Sequence, residues 1–283
     1  MNPEYFINAD PALLKAYSYE DAQKAFDYIV NECCVEFDYP QGGCQQRAQI
    51  ISLILQQKFN IDHFKLWLFS PAALTLYDCR TLYINDANQF SENNTIEWNY
   101  HVVPMININT ANGIQQMVID PSLDKNKLLS LTDFFAAIGN SNISKYTFLL
   151  PDKYFFNTSI VNNQPTAVFD GSFSNYDDYI KNDLTVEKGL ASNNMAMKIF
   201  HEHVQPLQQK NDAKDAKRLN DLKAIFGNAT AADLLFSQNL SGNSENTTLR
   251  YVTATYPEII DEARTIFYER LKFWTAFTNN LKK

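Results

Sequence analysis

No apolar run reaches the roughly eighteen residues that a bilayer-spanning helix needs, so the sequence offers no membrane span. Positive charge is also short. With 24 Lys+Arg against 32 Asp+Glu and a net charge of −8, nothing supplies the concentrated basic face that broad nucleic-acid binding requires. The one lysine-bearing stretch, Lys210 to Lys223, is interleaved with Asp212, Asp215 and Asp221 and reads as a solvated helix face. Cysteine is sparse: Cys33, Cys34, Cys44 and Cys79 form no C-x-x-C pair, and the first two are adjacent. That excludes an obvious zinc cluster, makes a disulfide framework a poor reading, and fits a reducing compartment. Met1 to Tyr5 lacks the basic region and following apolar stretch of a secretory signal, so the protein is read as cytoplasmic on synthesis, with leaderless export into a host cell left open. Internal repeats and long low-complexity tracts are lacking as well.

What is present is ample material for a core: 283 residues, 45% hydrophobic and 13% aromatic. Length alone favours one or two domains, and two are expected. Residues 19 to 33 place Ala22, Ala25, Phe26, Ile29 and Val30 at helical spacing behind Ser18 as N-cap. Asp38-Tyr39-Pro40-Gln41-Gly42-Gly43 then breaks the helix, and Cys44 to Phe59, free of Gly and Pro, predicts a buried helix opening at Cys44. Phe64 to Phe69, Leu82 to Ile84 and Trp98 to Ile108 read as strands, with Pro104 implying an edge or a bulge. Ile114 to Ile119 returns as the second arm of a hairpin, so the sheet is expected to be antiparallel. Beyond about residue 175, Thr185 to His203, Ala213 to Phe226, Thr230 to Gln238 and Pro257 to Leu281 suit helices. Asn157 to Gln164 and Ser241 to Thr248 read as loops. The fold class is therefore α+β, divided into a catalytic domain over 1–170 and a helical domain over 171–283 for substrate or partner recognition.

Acyl transfer by a thiol requires a thiolate, a nearby imidazole and a group that fixes the imidazole. Cys44 follows Gly42-Gly43, where the backbone can approach a substrate closely, and the first-turn N–H groups of its helix would favour both a thiolate and a developing oxyanion. His101 lies in the Trp98 strand and Asp120 ends the returning strand. Pairing parity puts His101 and Asp120 on one face of the pleat, and the preferred register, around a loop centred on Thr110-Ala111, sets them directly opposite each other. A tight Asn112-Gly113 turn would instead set His101 opposite Asp124. Two other features carry less. His201-Glu202-His203 lacks the i, i+4 spacing that aims two imidazoles at one metal, so no metal site is read. The aromatics Phe267, Tyr268, Phe273, Trp274 and Phe277 suit a helix stripe facing its own core, and a partner surface is the rarer use.

The blocks Gly43-Cys44-Gln45-Gln46-Arg47-Ala48, Trp98-Asn99-Tyr100-His101-Val102 and Ile119-Asp120-Pro121-Ser122-Leu123 resemble, in order and spacing, the bacterial protein-glutaminase family. Gln49 departs from that family's motif, which carries His there. The resemblance implies a compact papain- and transglutaminase-like core whose Cys-His-Asp triad, here Cys44, His101 and Asp120, deamidates glutamine side chains of intact proteins. It implies that Gly43, Trp98, Asn99 and Tyr100 line the substrate, that no cofactor or metal takes part, and that the partner is a protein substrate, with a host protein as the target of a bacterial effector. A transglutaminase, a cysteine protease or a deubiquitinase would use the same triad. A reading of another class makes the chain a non-catalytic effector module acting through its helical half.

Overall fold

The computed structural model describes residues 4–5, 9–91, 93–151, 157–161, 164–168, 185–236 and 247–281. Strands β1 (Glu4–Tyr5) and β2 (Ala16–Tyr17) precede helix α1 (Tyr19–Asn31), whose N-cap Ser18 accepts a hydrogen bond from the Asp21 N–H. Helix α2 (Cys44–Gln57) follows, and Cys44 is its first residue. Next come β3 (Phe64–Phe69), the short α3 (Pro71–Leu74), β4 (Leu82–Asn85), β5 (Thr95–Trp98), β6 (Tyr100–Thr110), β7 (Gly113–Val118), β8 (Leu129–Ser130), α4 (Leu131–Ala136) and β9 (Lys145–Leu149). β10 (Asn157–Val161) and β11 (Gln164–Val168) pair as an antiparallel hairpin where the sequence reads as loop. Among the described residues the C-terminal part is helical: α5 (Val186–Ile199), a π-helical turn Phe200–Val204, α6 (Gln205–Lys210), α7 (Ala216–Phe226), α8 (Ala229–Leu234), α9 (Thr247–Thr255) and α10 (Pro257–Leu281). Part of the loop expected at Ser241 to Thr248 lies outside the described residues; Thr247 and Thr248 begin α9. No helix among the described residues is long and apolar enough to cross a membrane.

The main sheet runs β1-β9-β3-β6-β7-β8, with β2 also paired to β6. It is antiparallel except where β1 joins β9 and β2 joins β6. The central β3 is buried throughout, as its unbroken apolar and aromatic run requires. Pro104 lies neither on an edge nor at a bulge, because β6 is flanked by β3 and β7. Its tolerance has a local reason. The Pro104 carbonyl accepts from the Ile119 N–H just past the end of β7, so the ring nitrogen faces a stretch where the ladder is already ending.

The β6–β7 hairpin closes between Thr110 and Gly113 on a two-residue turn, Ala111-Asn112. The Thr110 hydroxyl donates to the Gly113 carbonyl at 2.7 Å and accepts from the Asn112 N–H at 3.2 Å, and Gly113 takes φ +108°. Neither register expected from the sequence is the one adopted. Continued toward the open end, the observed pairing sets Asp120 opposite Val103, one pleat repeat from His101. The parity holds.

Two compact units divide the chain, and both are discontinuous. The first comprises residues 1–34, 47–85 and 96–176 and holds the main sheet; the second comprises 35–46, 86–95 and 177–283. Gly42, Gly43 and Cys44 count with the C-terminal helices in the second unit. Within the second unit α10 packs along α5. Trp274 is fully buried, its Nε1 donates to Asn194 Oδ1 at 2.8 Å, and Arg270 Nε donates to the same oxygen at 3.0 Å. Burying such a ring contributes about 3 kcal/mol, which fixes one face of α5. The aromatic stripe is thus core at Phe267 and Trp274, half-buried at Phe273 and Phe277, and exposed at Tyr268.

Candidate active site

In the first unit, β6 delivers His101 to the face it shares with Leu68, Val103 and Met105. The imidazole is 1% exposed and lies between two rings, Trp98 at 4.7 Å with an 11° interplanar angle and Phe134 at 6.0 Å with 19°. Its Nε2 donates to Asp120 Oδ2 at 2.7 Å. Asp120 is held in turn. Immediately after β7 the chain turns at Asp120-Pro121-Ser122, and Oδ1 accepts from the Ser122 N–H at 3.1 Å and the Ser122 hydroxyl at 2.5 Å. Burial acts to raise the Asp120 carboxyl, but the His101 charge, the hydrogen bonds from His101 and Ser122, and the Arg47 charge outweigh it and hold the group below its ordinary value. Asp120 is therefore a carboxylate, and it accepts the hydrogen bond from the imidazole. Ser122 and Phe134 were not singled out from sequence; the Asp-Pro-Ser turn signal could have identified the first, whereas no local signal marks the second.

Trp98, expected at the substrate, is buried and stacked on His101. Asn99 is exposed and its carbonyl accepts from the Ser70 N–H at 2.9 Å, while Tyr100 is half-buried with its ring 5.5 Å from that of Trp67. Gln49, on α2, accepts a hydrogen bond from the buried Lys65 Nζ.

In the second unit, Cys44 is half-buried at the first position of α2, with Sγ 3.3 Å from Gln45 Oε1. Gly43 takes φ +76°, the left-handed conformation that redirects the chain into the helix. The close approach expected at the glycine pair is made here by the protein's own helices. A Cβ on Gly42 would lie 2.3 Å from Ala229 Cβ of α8, and one on Gly43 would lie 2.2 Å from Asn193 Nδ2 of α5. One turn earlier on α5, Gly189 leaves the space occupied by Gln46, whose side chain a Cβ would meet at 2.7 Å. Asn193 was also missed from sequence, its trace being a glycine and a polar residue four apart in a mostly apolar helix. Among the described residues all four cysteines are free thiols. Burial, the dominant influence, pushes the Cys33 thiol up to about 12.

The His201-Glu202-His203 segment falls on the π-helical turn. His201 is exposed, with Nδ1 3.3 Å from Gln205 Oε1, whereas Glu202 and His203 join Glu262 of α10 in a cluster whose potential ligand atoms lie within 4.8 Å of one another. His203 Nε2 is 2.7 Å from Glu262 Oε2. A hydrogen bond between the two carboxyls acts to raise Glu202 and to lower Glu262 from their ordinary values.

A family model described as Glutaminase matches residues 22–138, less than half of the chain but including Cys44, His101 and Asp120. No curated protein matches the chain. Among solved structures, the NMR structure of protein-glutaminase from Chryseobacterium proteolyticum is 20% identical with a TM-score of 0.42, covering 55% of this chain and 81% of that one. A crystal structure of protein-glutaminase is 21% identical with a TM-score of 0.38, covering 53% and 77%, and one of pro-protein-glutaminase is 19% identical with a TM-score of 0.43, covering 62% and 60%. The family match thus makes residues 22–138 of this chain similar to the family described as Glutaminase.

Proposed function

We propose that the protein is a glutamine deamidase acting on protein substrates, with Cys44 as nucleophile, His101 as proton carrier and Asp120 as the group that orients His101. The observation that carries the reading is the buried His101–Asp120 pair, clamped between Trp98 and Phe134 inside the family-matched segment. A structural histidine needs no ionised partner excluded from water; a histidine that must cycle between neutral and charged forms is served by one.

In this mechanism the Cys44 thiolate adds to the carboxamide carbon of a glutamine side chain, forming a C–S bond while the carbonyl electrons move to oxygen. With Nε2 engaged by Asp120, the proton is carried on His101 Nδ1 and passes to the departing ammonia. The resulting thioester is hydrolysed by a water that gives its proton to the same nitrogen, which leaves glutamate and the free thiol. No step calls on a metal or organic cofactor. The papain-like assignment of the core, the lining roles of Gly43, Trp98, Asn99 and Tyr100, and a host protein as target belong to the same proposal.

Incubation with a glutamine-containing protein should release ammonia and convert Gln to Glu in the recovered substrate, and Cys44→Ala should abolish both. Ammonia release accompanied by amine incorporation in place of conversion to Glu would make it a transglutaminase, and backbone cleavage a protease. Full ammonia release by Cys44→Ala would sink the reading.

A further inference from the structure

Two tetrahedral intermediates in the proposed reaction place negative charge on the former carboxamide oxygen. Stabilising that charge requires donors held in place beforehand, and removing one such donor typically costs about 10²–10³-fold in turnover. The Cys44 N–H, at the start of α2, provides one. The sequence identifies no second.

The second unit does. Asn193 is 2% exposed, and its Nδ2 is buried without a hydrogen-bond partner among the described residues. Leaving such a donor unsatisfied costs about 1–3 kcal/mol, so native structures rarely keep one without a use. It stands over Gly43, the residue immediately before Cys44, and is the nearest group to that residue's missing side chain. The amide is also held firmly. One turn away Gly189 seats the buried Gln46, and on the adjoining face Asn194 is tied to Trp274 and Arg270 of α10.

We infer that Asn193 is a catalytic residue: its side-chain N–H is the second donor to the oxyanion formed at Cys44. This rests on the deamidase reading and deepens it, and it gives the helical region a part in the chemistry. When the thiolate adds, the carbonyl oxygen takes up the electron pair and accepts from Cys44 N–H and Asn193 Nδ2–H. When the intermediate collapses the pair returns to the C–O bond and ammonia leaves with the proton from His101. The same donors serve the hydrolytic half.

The test uses the full chain in four forms: wild type, Cys44→Ala, Asn193→Leu and Asn193→Asp, assayed on a short glutamine peptide. Leucine is nearly isosteric and removes an unsatisfied buried donor, so Asn193→Leu should melt no lower than wild type. Both Asn193 variants should lose about 10²–10³-fold in kcat with KM changed by less than about threefold. Inhibition by a peptide aldehyde, whose hemithioacetal carries the same oxyanion, should weaken in parallel with kcat. Alkylation of Cys44 by iodoacetamide, a displacement that forms no oxyanion, should keep its rate within about threefold. The proposal is overturned if kcat survives in a folded Asn193→Leu, if alkylation falls as far as kcat does, or if neither variant folds, since the amide would then be structural. Ammonia release by Cys44→Ala would overturn the deamidase reading itself; an inactive Cys44→Ala beside an active Asn193→Leu would remove this inference alone.

Discussion

Asp120 reaches His101 across the pleat diagonally rather than from the directly opposite position, and the 2.7 Å hydrogen bond is made because the chain turns at Pro121 immediately after β7 ends. The geometry predicts a pH signature. The folded Asp120 carboxyl lies below its ordinary value, so its contribution to stability is present above the unfolded value of about 3.9 and is lost as pH falls through the folded one. Asp120→Asn should lower stability by about 3 kcal/mol at neutral pH, the cost of breaking a buried pair, and the gap should close in acid. Thermal melts at a series of pH values measure it; a gap independent of pH would show that the pair is not ionised in the folded protein. Turnover of a glutamine peptide should fall by about 10³-fold or more.

Thiol reactivity separates the four cysteines. Cys44, the proposed nucleophile, opens α2, Cys34 and Cys79 are exposed at no helix start, and Cys33 is buried with its thiol pushed up to about 12. Iodoacetamide at neutral pH should label Cys44 first and Cys33 last, as read by peptide mass spectrometry over time. Equal rates at Cys44 and Cys79 would count against a nucleophilic role.

Asp233, on α8, behaves oppositely to Asp120. Burial raises its carboxyl to about 7, and a hydrogen bond with Ser192, next to Asn193 on α5, offsets only part of the effect. The folded state therefore keeps a proton that the unfolded chain loses at about 3.9, and the stabilisation present below that value is lost as pH rises through about 7. Asp233→Asn, neutral throughout, should match wild type in melting temperature near pH 4 and exceed it above pH 7. Because α8 also supplies Ala229 against Gly42, a melting difference that stays flat across this range would place the Asp233 carboxyl in water, not in the packing behind Cys44.

The parts of this architecture that were legible in sequence are those with local causes. Gly42-Gly43 ends one conformation and the Gly- and Pro-free run after it starts another, so Cys44 could be placed at a helix start. The two-residue period of a strand fixed the shared face of His101 and Asp120. Their register was not legible, because it depends on which two residues the turn uses, and the Thr110 hydroxyl bonds decide that. Asn157 to Gln164 reads as loop from its polar residues, yet strand pairing with Gln164–Val168 overrides that preference. Least legible was the neighbourhood of Gly43: Ala229 and Asn193 meet the glycine pair from far along the chain, and no local pattern announces a contact of such separation.

That contact changes what the helical region is expected to do. If residues after 170 served only to recognise a large substrate, altering them would impair turnover of an intact protein and spare a short glutamine peptide, since remote binding energy reaches only substrates long enough to use it. Gly189 provides the test. Alanine there gains about 1 kcal/mol of helix propensity, yet its Cβ would meet the side chain of the 2%-exposed Gln46 at 2.7 Å, and Gln46 lies two residues from Cys44. Displacing it disturbs the first turn of α2, so Gly189→Ala should lower kcat on peptide and protein alike, by about tenfold or more, the order expected when supporting packing moves a nucleophile by part of an ångström. Tyr268→Ala is the matched control, because Tyr268 is 55% exposed on α10 and its loss should leave the peptide reaction unchanged. If Gly189→Ala spares the peptide and impairs only the protein substrate, α5 acts in recognition and the site is complete without it.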